Sequence, residues 1–421
     1  MTFEIAPQKL IYGGDALGYR DGRAVFVPRV LPRERVEAEV VRVAKGIVHA
    51  RPLRILEPSP DRIEPPCPYF GHCGGCHYQH FGPQRQAEVK QEILRETLRR
   101  TGKINWEKSI VLHTAQPQNY RNQAQFKVGR TPEGLLEIGF FEAYSHRVFP
   151  VESCLLLSDK LNQVLREFRR ERWASLLEGC TEIELFADQC DDHTAVILRG
   201  MLTKGESVAN EILSSIPGVA SVAVEAGSGL QVVGEPHLTY SVGEFGYRVR
   251  PGSFFQVSRF LLPKLVDAVI GPVHGESALD LFAGVGLFTL PMARSFGTVI
   301  GVEASRSAAA DLAANAKAHA FTNVRTVEAG AQDFLRRFAQ VGVDLVVLDP
   351  PRAGVGASVL KLLVGVQPKR IHYVSCSPPT LARDLGFLVA HGYEPESVEM
   401  FDFFPHTYHL EALVRLVRRA V

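Results

Sequence analysis

Leu279-Asp280-Leu281-Phe282-Ala283-Gly284-Val285-Gly286 decides the fold. An apolar strand runs into a tight turn and then a helix, and glycines there let the backbone approach a ligand closely. Outward from this stretch the pattern repeats. Ala278 to Phe282, Val299 to Val302, Leu345 to Leu348 and His372 to Ser375 are apolar runs of strand length, with Ala-rich helical stretches between them. That alternation predicts an α/β unit with a parallel sheet and crossover helices. Ligands of such sheets bind at the carboxyl ends of the strands.

Polar residues stand at those ends. Glu303 lies 17 residues past Gly286, a spacing that suits a carboxylate holding a ribose hydroxyl pair. A dinucleotide fingerprint needs a third glycine where Thr289 stands. Asp280 ahead of the glycines and Asp349-Pro350-Pro351 at a later strand fit an S-adenosylmethionine site better. Cys376 ends another strand, in Tyr373-Val374-Ser375-Cys376-Ser377-Pro378. A buried Cys is by default a small hydrophobe, but Ser residues flank this one. Glu411 sits among Leu410, Ala412, Leu413 and Val414, where a carboxylate needs a reason. Burial would raise its pKa toward the range of a general base; a capping or salt-bridged Glu is the plainer alternative. One chemistry unites the two. A thiolate adding to carbon 6 of uracil makes carbon 5 nucleophilic, and a base must then remove the hydrogen from carbon 5.

The chain has 421 residues, enough for two or three domains, with 46% hydrophobic and 22% charged residues. The N-terminus has no signal-like apolar region and no run would span a bilayer, so a cytoplasmic, membrane-free protein is expected. Net charge is only +1, yet Arg85 to Arg130 carries ten Lys or Arg against four Glu. Such a patch either binds phosphate or is a solvated helix face. Residues 1 to 58 read as short strands, Ala24 to Val27 and Val36 to Val43 among them, in a small barrel of the kind that binds nucleic acid. Pro58-Ser59-Pro60 and Pro65-Pro66 mark a linker. Residues 84 to 101 read as an amphipathic helix with Val89, Ile93, Leu94 and Leu98 on one face. Seven Cys argue against a disulfide framework. Cys67, Cys73 and Cys76 lie in a Gly-rich loop with His72, His77 and His80, a convergent metal-ligand set for zinc or an iron–sulfur cluster.

Together these residues resemble the RNA uracil-C5 methyltransferase family, most closely its ribosomal RNA branch of RumA/RlmD-like enzymes. The likeness runs nearly end to end. It implies an OB-like TRAM barrel that binds RNA over residues 1–60. A central α+β domain would cover 61–253, its helix 81–111 packing on the catalytic domain. A Rossmann-like S-adenosylmethionine methyltransferase domain would cover 254–421. It implies Cys376 as nucleophile and Glu411 as base. Gln256, Phe282, Gly284, Gly286, Glu303 and Asp349 would hold the cofactor. Cys67, Cys73, Cys76 and Cys154 would ligate a [4Fe-4S] cluster, with zinc as the other occupant. Tyr120-Arg121-Asn122 and Ser253-Phe254-Phe255-Gln256-Val257 match family motifs, and Arg121, Asn122, Arg352 and His409 are expected to meet RNA. Leu287 and Ser258 depart from the family's usual Asn. The expected substrate is a flipped uridine of 23S rRNA, methylated by a monomer during rRNA processing. Transfer RNA is the alternative substrate. An amino-group methyltransferase and a non-catalytic iron–sulfur RNA-binding protein are the alternative functions.

Overall fold

The computed structural model describes residues 1–227 and 229–419. Four sheets organise them. The first has six strands between Thr2 and Glu57. Its long strand Arg35–Ala44 turns Val36 and Ala38 inward, the period of a half-buried strand. Strand Asp15–Arg20 packs closely on the first strand: a Cβ added at Gly18 would lie 2.8 Å from Ile5 Cδ1. A seven-stranded central sheet follows, covered by helices Asp159–Phe168 and Gly205–Ser215 around Phe168, Trp173, Leu185 and Val196. Leu238–Val242 and Phe245–Val249 pair as a hairpin.

The fourth sheet has eight strands, in the order Val324–Glu328, Phe296–Glu303, Gly275–Leu281, Leu345–Leu348, Arg370–Ser375, Glu411–Arg418, Tyr393–Phe401 and Val111–His113. The first five run parallel. Glu411–Arg418 runs antiparallel to Arg370–Ser375, with Ser375 opposite Ala412. A strand that enters the sheet at the edge where its neighbours leave it delivers its first residue, Glu411, beside Cys376.

Helix Pro83–Arg100 ties the sheets together. Val89 and Ile93 pack into the core of the N-terminal sheet, and Leu94 and Leu98 into that of the catalytic sheet. The helix is shorter than the 81–111 expected. Gly102 nestles against helix Pro378–Ala390, where a Cβ would meet the Ala382 carbonyl at 2.7 Å, and the chain then turns extended. Trp106 and Ile110 bury in the catalytic core, and Val111–His113 adds the last strand. The core also crosses the expected boundary at 253/254, because Leu238, Tyr240, Tyr247 and Val249 of the hairpin pack with Leu345, Val347 and Leu413. Of the basic residues in 85–130, Arg99, Arg100, Lys103, Lys108 and Arg130 are exposed, while others are held within the fold. Lys90 is fully buried against Asp402, Lys127 pairs with Glu182, and Arg85 pairs with Glu88 and Glu92. Among the described residues no helix is long and apolar enough to cross a membrane.

Candidate active site

The glycine turn is built from unusual backbone. Phe282 has φ +74°, Gly284 +54° and Gly286 +98°. A non-glycine residue in that region is held there by its surroundings, and Phe282 is: its N–H and that of Ala283 both donate to the Val302 carbonyl, at 3.1 and 3.0 Å. Glu303 closes the turn from the next strand, accepting from the N–H of Gly284 at 2.8 Å and of Ser305 at 2.7 Å. Gly286 must lack a side chain, since a Cβ would sit 2.4 Å from Leu312 Cδ1. A Cβ at Gly284 would meet nothing within 4 Å, leaving an open cradle over the turn. Beneath it Asp280 is fully buried. Thr289 donates to its Oδ2 at 2.6 Å, while its Oδ1 has no partner. Burial lifts Asp280 to about 7. An open cradle beside an unsatisfied buried carboxylate suits a polar, positively charged ligand, and S-adenosylmethionine fits both properties. Leu287, where the family often has Asn, is buried, and its carbonyl accepts from the Tyr247 hydroxyl at 3.0 Å.

Asp349 follows strand Leu345–Leu348 and accepts from Gln256 Nε2 at 3.1 Å. Burial, then the nearby Asp280 carboxylate, raise it to about 7. Cys376 lies in the turn between Arg370–Ser375 and helix Pro378–Ala390. Its thiol is pushed up to about 12, mainly by burial and then by Glu411, with Asp349 adding to it. The Arg352 guanidinium opposes the shift. Glu411 is 2% exposed, and burial followed by repulsion from Asp349 raises it well above the ordinary carboxylate range. The structure thus brings Cys376, Glu411, Asp349, Gln256 and Arg352 together at one sheet edge.

Two residues expected at RNA face inward instead. Asn122 is fully buried, and its Nδ2 donates to the Gln256 carbonyl at 3.1 Å. It therefore supports Gln256, which in turn holds Asp349. Arg121 bonds Tyr120 and lines a cavity of about 90 Å3 shared by Cys67, Cys73, Cys76 and Cys154. His409 is half-buried between Tyr408, at 4.1 Å between ring centres, and Phe404, at 5.9 Å. Sequence reasoning missed Tyr12. The turn Tyr12-Gly13-Gly14 of the N-terminal sheet reaches the site, where Tyr12 meets Tyr408 edge-on at 5.3 Å and lies close enough to Cys376 and Arg352 to feel their charges. Its only sequence signal is the glycine pair behind it.

Fold and site define a methyltransferase of the parallel α/β class with a thiol nucleophile candidate. A family model described as tRNA (Uracil-5-)-methyltransferase matches residues 235–419. The chain is 35% identical to a 23S rRNA (uracil(1939)-C(5))-methyltransferase, RlmD, of Alkalilimnicola ehrlichii, over 99% of this chain and 97% of the relative. It is 33% identical to an uncharacterized RNA methyltransferase of Aquifex aeolicus, over 98% of each. The crystal structure of Pyrococcus abyssi tRNA (uracil-54, C5)-methyltransferase with S-adenosyl-L-homocysteine superposes with a TM-score of 0.75 at 22% identity, covering 99% of this chain and 100% of that one. The chain belongs to the RNA uracil-C5 methyltransferase family.

Proposed function

We propose that this chain methylates carbon 5 of a uridine in 23S ribosomal RNA, with Cys376 as nucleophile and Glu411 as base. The observation that carries the mechanism is that the antiparallel strand sets the buried Glu411 beside Cys376, with Asp349 half-buried and Arg352 exposed next to them. When bound, S-adenosylmethionine supplies an electrophilic methyl group, held by Gly284, Gly286, Glu303, Phe282, Gln256 and Asp349. The protein's own residues do the rest. Cys376 loses its proton, a change that Arg352 favours, and its sulfur bonds carbon 6 of the uracil. Carbon 5 takes the methyl group, Glu411 removes the hydrogen from carbon 5, and the carbon–sulfur bond breaks to release Cys376. The target base leaves its stack to reach the thiol, so an unpaired uridine in a loop or bulge is the substrate.

Support for ribosomal over transfer RNA is the full-length identity to a ribosomal RNA enzyme. The N-terminal sheet serves as a TRAM-like RNA module over residues 1–60, residues 61–253 supply the central part, and residues 254–421 form the catalytic part together with the hairpin 238–249 and strand Val111–His113. Cys67, Cys73, Cys76 and Cys154 hold a [4Fe-4S] cluster. Four thiols around one cavity, with the Arg121 guanidinium at its wall, suit an anionic cluster.

The test is single-turnover transfer of labelled methyl to 23S rRNA and tRNA lacking the modification, for wild type and Glu411→Gln. Label at carbon 5 in 23S rRNA, with Glu411→Gln trapping a protein–RNA adduct through Cys376, is expected. Label confined to tRNA would replace the substrate, and label on adenine would overturn the mechanism.

A further inference from the structure

Residues 402–410 lead from strand Tyr393–Phe401 into Glu411 and carry His409. They form no regular structure of their own, yet they are held from outside at several points. Gln86 of helix Pro83–Arg100 is fully buried. Its Oε1 accepts from the His406 N–H at 2.8 Å, and its Nε2 lies 3.3 Å from His406 Nδ1. The same Nε2 donates to the carbonyls of Tyr78 at 2.8 Å and Phe81 at 2.7 Å. The His406 carbonyl accepts from the N–H groups of His77 at 2.8 Å and Tyr78 at 3.0 Å. His406 itself has φ +67°, a conformation that a residue other than glycine keeps only when its neighbours insist. Tyr120 donates to the Pro405 carbonyl at 3.3 Å.

A buried glutamine that satisfies the backbone of two separate segments at once is a bracket. We propose that Gln86 is a positioning residue for proton removal: by locking His406 to residues 78–81 it fixes the segment that ends in Glu411, and so sets the step that frees Cys376 from methylated RNA. Addition of the thiol and methyl transfer need Cys376, Arg352 and the cofactor cradle, all on other elements. Removal of the carbon 5 hydrogen needs Glu411 at a set distance, and a shift of about 1 Å can cost about 100-fold. Loss of the bracket therefore slows the last step selectively. This proposal rests on Glu411 being the base.

The experiment compares wild type, Glu411→Gln and Gln86→Leu by single-turnover methyl transfer, by multiple turnover, and by the fraction of protein covalently bound to RNA on denaturing gels. His406→Asn is added because Asn tolerates positive φ and loses only the ring contact to Gln86, so it tests the bracket even where Gln86→Leu does not fold. For Gln86→Leu, single-turnover transfer should stay within about 3-fold of wild type. Multiple turnover should fall about 10- to 100-fold, and the adduct should accumulate as in Glu411→Gln. His406→Asn should show the same pattern more weakly. A purely structural role would lower all steps together and leave the adduct fraction unchanged, which would sink the proposal. If Glu411→Gln traps adduct and neither Gln86→Leu nor His406→Asn does, Gln86 has no positioning role. If Glu411→Gln traps none, the assignment of the base fails and the proposal fails with it.

Discussion

Lys90→Met tests the packing of the bridging helix most sharply. Lys90 is fully buried, four residues along the helix from Gln86. Its Nζ donates to Asp402 Oδ1 at 2.6 Å and to the Phe404 carbonyl at 2.9 Å. Methionine fills nearly the same space, so no large cavity opens. The loss is electrostatic: a carboxylate only 3% exposed keeps neither its cation nor water, and a carbonyl loses its donor. Removing one member of a buried ion pair costs about 3–5 kcal/mol. At about 2–4 °C per kcal/mol for a unit of this size, the melting temperature should fall by about 6–20 °C. Lys90→Met combined with Asp402→Leu removes the stranded charge and should recover most of that loss, giving a coupling energy of at least about 2 kcal/mol. Scanning calorimetry and urea unfolding of the single and double variants without cofactor measure it. A single variant within about 1 kcal/mol of wild type, or a double variant no more stable than Lys90→Met, would refute the view of this pair as desolvated and mutually dependent.

Three further outcomes are expected. Asp349 is raised to about 7, so the folded state holds a proton that the unfolded chain has lost. Its contribution to stability is complete below the ordinary carboxylate range and is lost as pH rises to about 7, so Asp349→Asn should melt several degrees higher than wild type at pH 8 and equally at pH 4, while methyl transfer is abolished; a lower melting point at pH 8 would contradict this. Gly284→Ala should cost about 1–2 kcal/mol of stability from its positive φ and at least about 10-fold in cofactor affinity by calorimetry, because the new methyl enters the cradle. Gly286→Ala should be the less stable of the two from its overlap with Leu312, and the opposite ranking would count against the assignment of these glycines. Tyr12→Ala should raise KM for RNA, whereas Tyr12→Phe, which keeps the ring against Tyr408, should stay near wild type; equal effects would place the role in the hydroxyl.

The catalytic sheet was legible because its signals are local. Strand, glycine turn and terminal acid sit within a few residues of one another, and Glu303 ends the next strand. The meeting of Cys376 and Glu411 was foreseeable from chemistry, since a thiol acting on uracil calls for a base nearby, and the structure sets the two side by side. What stayed hidden depends on partners far along the chain. Lys90 reads as one charge of a basic, amphipathic helix, but its partner lies 312 residues away. Arg121 and Asn122 follow an exposed-looking motif, yet their partners are the Cys-lined cavity and the Gln256 carbonyl, which no local pattern announces. The apolar period over 84–101 met the helix Pro83–Arg100 to within a residue, whereas the longer helix 81–111 implied by the resemblance runs past Gly102, whose close approach to helix Pro378–Ala390 turns the chain extended.

The outermost strand of the catalytic sheet, Val111–His113, pairs with Tyr393–Phe401, so the sheet is closed by a piece of chain made long before its neighbour. On a ribosome adding about 5–20 residues per second, the roughly 280 residues between them take on the order of 15–60 s to emerge. Throughout that interval the core that Leu94, Leu98, Trp106 and Ile110 enter is incomplete, and Lys90 has no counter-ion. The nascent protein thus carries an apolar, half-finished helix that must wait for its C-terminal third, and it has to be shielded until then. A fragment beginning at residue 235, where the family match starts, would emerge with the opposite defect: an open sheet edge and a bare apolar face, a template for aggregation rather than a minimal enzyme.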